Sequence, residues 1–191
     1  MDETLDDGLD DAVEQGDGGF GVSWTYYATY SNTDPSSEWY KCFGLRWDGL
    51  NIPQGATIGT AYIQAWPKPN GTDNSNAVLY AHDAAAPTNF SDNAHIISTG
   101  DRPRTTANAP WVESDIPTGQ YVSSPSLVDV IQELATSYTI TAIVILGIAN
   151  TNNSWVVLFC DDYETDSSHA AKLHIEYSLG AAAKSQSFII G

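Results

Sequence analysis

Asp10, Asp11 and Glu14 place three carboxylates within five residues, and the loop 70–76, Asn-Gly-Thr-Asp-Asn-Ser-Asn, gathers more oxygen ligands around Asp73. Hard cations take such clustered oxygens, so calcium is the ion that either group would hold as a structural cofactor, although neither has EF-hand spacing. A second chemistry is sugar recognition, which uses aromatic faces edged by polar groups. Trp24 and Tyr26 share one strand face by period two, Trp66 stands beside Pro67, and Arg102 and Arg104 bring two of seven basic residues close to Trp111. Each candidate has an ordinary alternative. The acids are a solvated arm, the loop is an Asx-rich turn, the aromatics are core, and an arginine stacks on a ring or bonds loop carbonyls.

Catalysis has little support. His82, His95, His169 and His174 are scattered, and neither HExxH nor GxSxG occurs. Neighbouring acids such as Asp161-Asp162 are what a chain with 24 Asp and Glu produces without design. The expectation is a protein that is not an enzyme.

The 191 residues carry a formal net charge of -17, a field that repels nucleic-acid phosphates and anionic membranes. Half of that charge is concentrated in residues 1–19: Asp2, Glu3, Asp6, Asp7, Asp10, Asp11, Glu14 and Asp17 stand there without a basic residue, and the remainder nets -9. No run approaches the ~18 apolar residues that cross a bilayer, and the N-terminus lacks the basic and apolar regions of a leader. Neither nucleic-acid binding nor membrane insertion is expected. Cys42 and Cys160 make no disulfide framework; they pair if the fold joins their strands, or else pack as small apolar residues.

Short runs bounded by Gly, Pro, Asn and Asp predict strands over 20–30, 39–47, 58–66, 76–83, 119–123, 141–149, 154–160 and 171–178. Alternation puts Phe43, Leu45 and Trp47 on a core face. Ile143-Val144-Ile145-Leu146 does not alternate, which predicts a central strand covered on both sides. One helix is predicted, with Ser124 as N-cap, Pro125 first, and Leu127, Val130, Ile131 and Leu134 forming its apolar stripe to about Thr136. Leu5, Leu9 and Val13 have helical spacing, but Gly8 and like charge oppose a helix, so residues 1–9 are expected to be mobile until docked.

Three segments resemble the DNRLRE-type, disaggregatase-related β-jelly-roll modules classed with carbohydrate-binding modules. Gly44-Leu45-Arg46-Trp47 with Ile52-Pro53-Gln54-Gly55-Ala56-Thr57-Ile58 and Ala61-Tyr62 is similar to their hairpin. Ile97-Ser98, Arg102-Pro103-Arg104-Thr105-Thr106-Ala107 and Trp111 resemble a second segment, and Ser124-Pro125-Ser126-Leu127 through Gln132-Glu133-Leu134 resembles the family helix. Asp10-Asp11-Ala12-Val13-Glu14 looks like the opening and Ala171-Lys172-Leu173-His174-Ile175-Glu176-Tyr177 like the final strand, so about residues 10–178 are covered. The chain departs after the helix, where Ser137-Tyr138-Thr139-Ile140-Thr141 replaces a loop with Arg, Gly and Trp.

The expected fold is therefore all-β: a jelly-roll β-sandwich over 20–179 with one short capping helix, an acidic N-terminal arm at 1–19 and a C-terminal tail at 180–191. The resemblance alone implies a secreted glycan-binding module. Met1 without a leader, the acidic arm and the apolar tip Phe188-Ile189-Ile190 instead favour a small protein assembled in a cytoplasm and released by lysis. The leading expectation is a phage virion structural subunit (decoration, cementing or fibre-like) displayed on the virion surface, whose arms dock on other copies or neighbouring subunits. The alternatives are a freestanding extracellular module that binds a polysaccharide, and a subunit of an extracellular filament or surface layer.

Overall fold

The computed structural model describes residues 2–5, 9–15, 20–21, 27–31, 40–69, 74–91, 97, 102–149, 156–161, 163 and 165–180. The strands are β1 (Asp2–Thr4), β2 (Asp11–Gln15), β3 (Phe20–Gly21), β4 (Tyr27–Ser31), β5 (Tyr40–Trp47), β6 (Thr57–Ala65), β7 (Ser75–Ala81), β8 (Ala109–Glu113), β9 (Val122–Ser123), β10 (Ile143–Ala149), β11 (Val156–Cys160) and β12 (Lys172–Ser178). The helix α1 spans Val128–Ser137.

The protein is all-β, with two principal antiparallel sheets and one short helix. One sheet has the order β1-β12-β6-β9, the other β3-β2-β5-β10-β7-β8, and β11-β4 forms a two-stranded ribbon. Alternation turns Ile58, Ala61, Ile63 and Ala65 of β6, with Leu173 and Ile175 of β12, into the main core. Phe43, Leu45 and Trp47 of β5 and Ile143 and Ile145 of β10 enter the same core from the other sheet. The helix contacts both β6 and β7, and sends Val130, Ile131, Leu134 and Ala135 into that core.

The non-alternating strand behaves as its pattern requires. β10 is central, between β5 and β7, and its opposite face carries Val144 and Leu146 into a second cluster with Ala12, Cys42, Phe90 and Ile97. Two glycines make this double packing feasible. A Cβ at Gly44 would collide with the Phe90 ring, and one at Gly147 would collide with Phe43.

Several expectations need correction. The N-terminal segment supplies β1 and β2, and both lie inside the protein's own sheets rather than preceding the first strand. Leu5 and Val13 are main-core residues, and the Leu5 N–H donates to the Ala171 carbonyl at 3.1 Å. β8 is a strand beyond those predicted; at the edge of its sheet it tolerates Pro110. The predicted strand 20–30 is described as β3 and β4, with 22–26 outside the described residues.

The helix begins at Val128, with Leu127 at the cap position. Ser124 does not cap it, because residues 124–127 first run along β6: Ser124 N–H donates to Ile63 O at 2.8 Å and Leu127 N–H to Ala61 O at 2.7 Å. The Ser124 hydroxyl accepts from Ile63 N–H at 3.1 Å, substituting for a strand carbonyl. Cys42 and Cys160 are buried thiols, one in the second cluster and one in the main core.

Candidate functional site

The face of the four-stranded sheet turned away from the main core is built from alternate residues of β6 and β12. Register sets Tyr62 opposite His174, and Gln64 opposite both Lys172 and Ser123. The Tyr62 and His174 rings stack at 4.7 Å with planes 16° apart. Just beyond β6, Trp66 meets the Tyr121 ring edge-on at 5.1 Å, and His169 stacks on Trp66 at 3.8 Å. Tyr121 is itself held in place. Its hydroxyl donates to Ser168 O at 2.8 Å and to Ala170 O at 3.2 Å, and Lys172 Nζ lies 3.8 Å from its ring centre. These aromatic residues are all partly exposed.

Charged groups support the His169 side of Trp66. His169 Nδ1 lies 3.1 Å from Asp161 Oδ2 and 3.2 Å from Asp166 Oδ2, while Lys68 Nζ meets Asp161 Oδ1. Asp166 Oδ1 accepts from the Ser168 hydroxyl at 2.6 Å and from its N–H at 3.0 Å, which holds the Asp166 carboxyl below the usual carboxylate range.

Of the aromatic and arginine residues singled out in the sequence, Trp66 belongs to this cluster and others do not. Trp111 is 1% exposed in the main core, with its indole N–H donating to Glu113 Oε2 at 3.2 Å, so it offers no ring to a ligand. Arg102 is 6% exposed and works inside the fold. It donates to Thr88 O at 2.9 Å and Asn89 O at 2.7 Å, and its guanidinium lies 4.5 Å from the centre of the Phe90 ring. Arg104 donates to Ile97 O at 2.7 Å and sits 5.7 Å from the centre of the Tyr80 ring. Trp24, Tyr26, Asp73, Phe188, Ile189 and Ile190 lie outside the described residues.

The acidic trio is buried and its members aim at separate partners. Asp10 Oδ1 pairs with Arg46 at 2.6 Å, Asp11 Oδ2 accepts from Tyr163 N–H at 3.1 Å, and Glu14 Oε2 accepts from Ile97 N–H at 2.9 Å. At 1–3% exposure these carboxylates are structural acceptors rather than a solvated arm. Among the described residues, no three His, Cys, Asp or Glu side chains are grouped to hold a metal, and no described helix is long and apolar enough to cross a membrane.

Compared with known proteins, the chain matches no family model and no curated protein. Several of the motif residues quoted from the sequence have work inside the fold. Gly55 adopts φ 81° in the turn Pro53–Ala56, and its N–H donates to Ala135 O at 2.8 Å. Gln132 bridges the start of β6, accepting from Ile58 N–H at 2.9 Å and donating to Ala56 O at 3.0 Å. Glu133 accepts from Thr106 and Ala107 N–H at 2.8 and 2.7 Å, tying the helix to the arginine segment.

Sequence reading missed Tyr62, Tyr121, His169, Lys172 and His174. The alternation of Leu173 and Ile175 with Lys172, His174 and Glu176 could have marked an outward face. Their convergence with Tyr62 and Trp66 depends on strand pairing over more than a hundred residues, for which no local signal exists.

Proposed function

We propose that this protein is a non-catalytic carbohydrate-binding module, wound as a jelly roll, with its ligand lying on the outer face of the four-stranded sheet. The carrying observation is that Trp66 and Tyr121 stand at one end of a sheet face and stacked Tyr62 and His174 stand farther along it. Gln64, Lys172 and Ser123 lie between them in register. Sugar rings present apolar C–H faces with a hydroxyl rim, and this arrangement answers both, rings for the faces and polar ends for the rim. A bonded, packed framework holds the rings in place before binding, which limits the ordering cost of association.

The reading of a virion subunit has the acidic arm or the C-terminal tail dock on a neighbour, and the tail lies outside the described residues. β1 and β2 use the first arm within the fold, which is why the glycan reading takes precedence here. The test is affinity electrophoresis through gels containing a panel of soluble polysaccharides. Retardation by at least one of them, lost in Trp66→Ala, is expected; unchanged mobility in every gel overturns the reading.

A further inference from the structure

A lysine and an aspartate beside Trp66 lie closer together than an ion pair requires. Lys68 Nζ is 2.5 Å from Asp161 Oδ1, against about 2.7–2.9 Å for an aligned ammonium–carboxylate hydrogen bond. That oxygen is shielded from solvent and has no partner in hydrogen-bond alignment, so the amine is set against the carboxyl group off its bonding directions.

Both backbones are clamped around the pair. Pro67 and Pro69 fix φ on either side of Lys68. Lys68 N–H donates to Phe159 O at 2.8 Å, Asp161 N–H donates to Trp66 O at 3.0 Å, and Pro67 bridges to Cys160. The second carboxylate oxygen faces His169 Nδ1 at 3.1 Å, and that ring is fixed by stacking on Trp66 and by Asp166. A nucleophile, an electrophilic carbon, a proton-bearing ring and an orienting acid are thus assembled in one place.

We propose that Lys68 and Asp161 form an intramolecular isopeptide bond. The ammonium passes one proton to Asp161 Oδ1, and the Nζ lone pair attacks Cγ. His169, with its proton on Nδ1, hydrogen-bonds Oδ2 as negative charge gathers there. The Nζ–Cγ bond forms and the Cγ–Oδ1 bond breaks, Oδ1 leaving as water with a second proton from Nζ; no oxidant or other reactant is needed. Condensation is unfavourable between separate groups in water, but holding reacting groups in contact gives effective concentrations on the order of 10⁵–10⁸ M. The cross-link ties the segment after β6 to the segment after β11 and stands independently of the glycan reading.

The experiment is the intact mass of the full chain in denaturant, followed by proteolysis. The wild type is expected to be lighter than its sequence by one water, with the Lys68 and Asp161 peptides recovered as one branched species, and Lys68→Arg is expected to restore the full mass. A wild-type chain at full sequence mass with two separate peptides would make the contact an ordinary ion pair and overturn the proposal. Loss of water that persists in Lys68→Arg would place the dehydration elsewhere and overturn it equally.

Discussion

On the six-stranded sheet, the side facing away from the main core is roofed. Phe90 and Ile97 cover Ala12, Cys42, Val144 and Leu146, and the roof is fastened by Arg46 on the Pro87 carbonyl and Arg102 on those of Thr88 and Asn89. On the four-stranded sheet the corresponding side carries Tyr62, Gln64, Lys172 and His174, partly exposed. Strand composition explains the difference: β10 is apolar on both faces and needs two covers, whereas β6 and β12 alternate and need one. Cationic and aromatic side chains serve both regions: in the first, Arg46, Arg102 and Phe90 hold a loop down, and in the second, Lys172, Tyr62 and Tyr121 stay partly exposed.

The roof should depend most on Arg102. Replacing it with Met leaves the Thr88 and Asn89 carbonyls without their donors, for an expected loss of about 3–5 kcal/mol, measured by urea unfolding. A loss within experimental error would mean that the loop is not fastened this way. Gly44→Ala should cost less, about 1–3 kcal/mol, because the Phe90 ring can shift off the added methyl at the expense of packing; an unchanged midpoint would contradict the close approach.

A smaller effect comes from His82, whose Nδ1 lies 3.3 Å from Arg102. Burial, and then the Arg102 charge, pushes its imidazole down from 6.5 to about 4, against a smaller opposing pull from Asp83. The unfolded chain therefore takes up this proton first as pH falls. The contribution is complete above pH 6.5 and is lost as pH drops toward about 4. After allowance for solvent screening it amounts to about 1 kcal/mol. The wild type should lose more stability over that window than His82→Gln, and parallel curves would contradict the assignment.

What was legible in the sequence was what alternation and composition dictate locally: the core face of Phe43, Leu45 and Trp47, the doubly covered run at Ile143–Leu146, and the helix stripe through Val130, Ile131 and Leu134. The N-terminal segment was not legible, because its charge density argues for solvation unless partners are known. Those partners lie far away in sequence, Arg46 at 36 residues from Asp10, Ile97 at 83 from Glu14 and Tyr163 at 152 from Asp11. Trp66 could be named as a candidate from its type and neighbours. Tyr121, His169 and Lys172 reach it only through tertiary pairing, so the site was legible as one residue and not as a constellation.

The most direct test of the glycan reading uses the indole N–H resonances of the tryptophans, with Trp66 assigned through Trp66→Phe, during titration with a polysaccharide that retards the protein. Trp66 should shift in a saturable manner while core-buried Trp111 stays in place. A Trp66 signal that does not move while the glycan is bound would place recognition elsewhere and contradict the account.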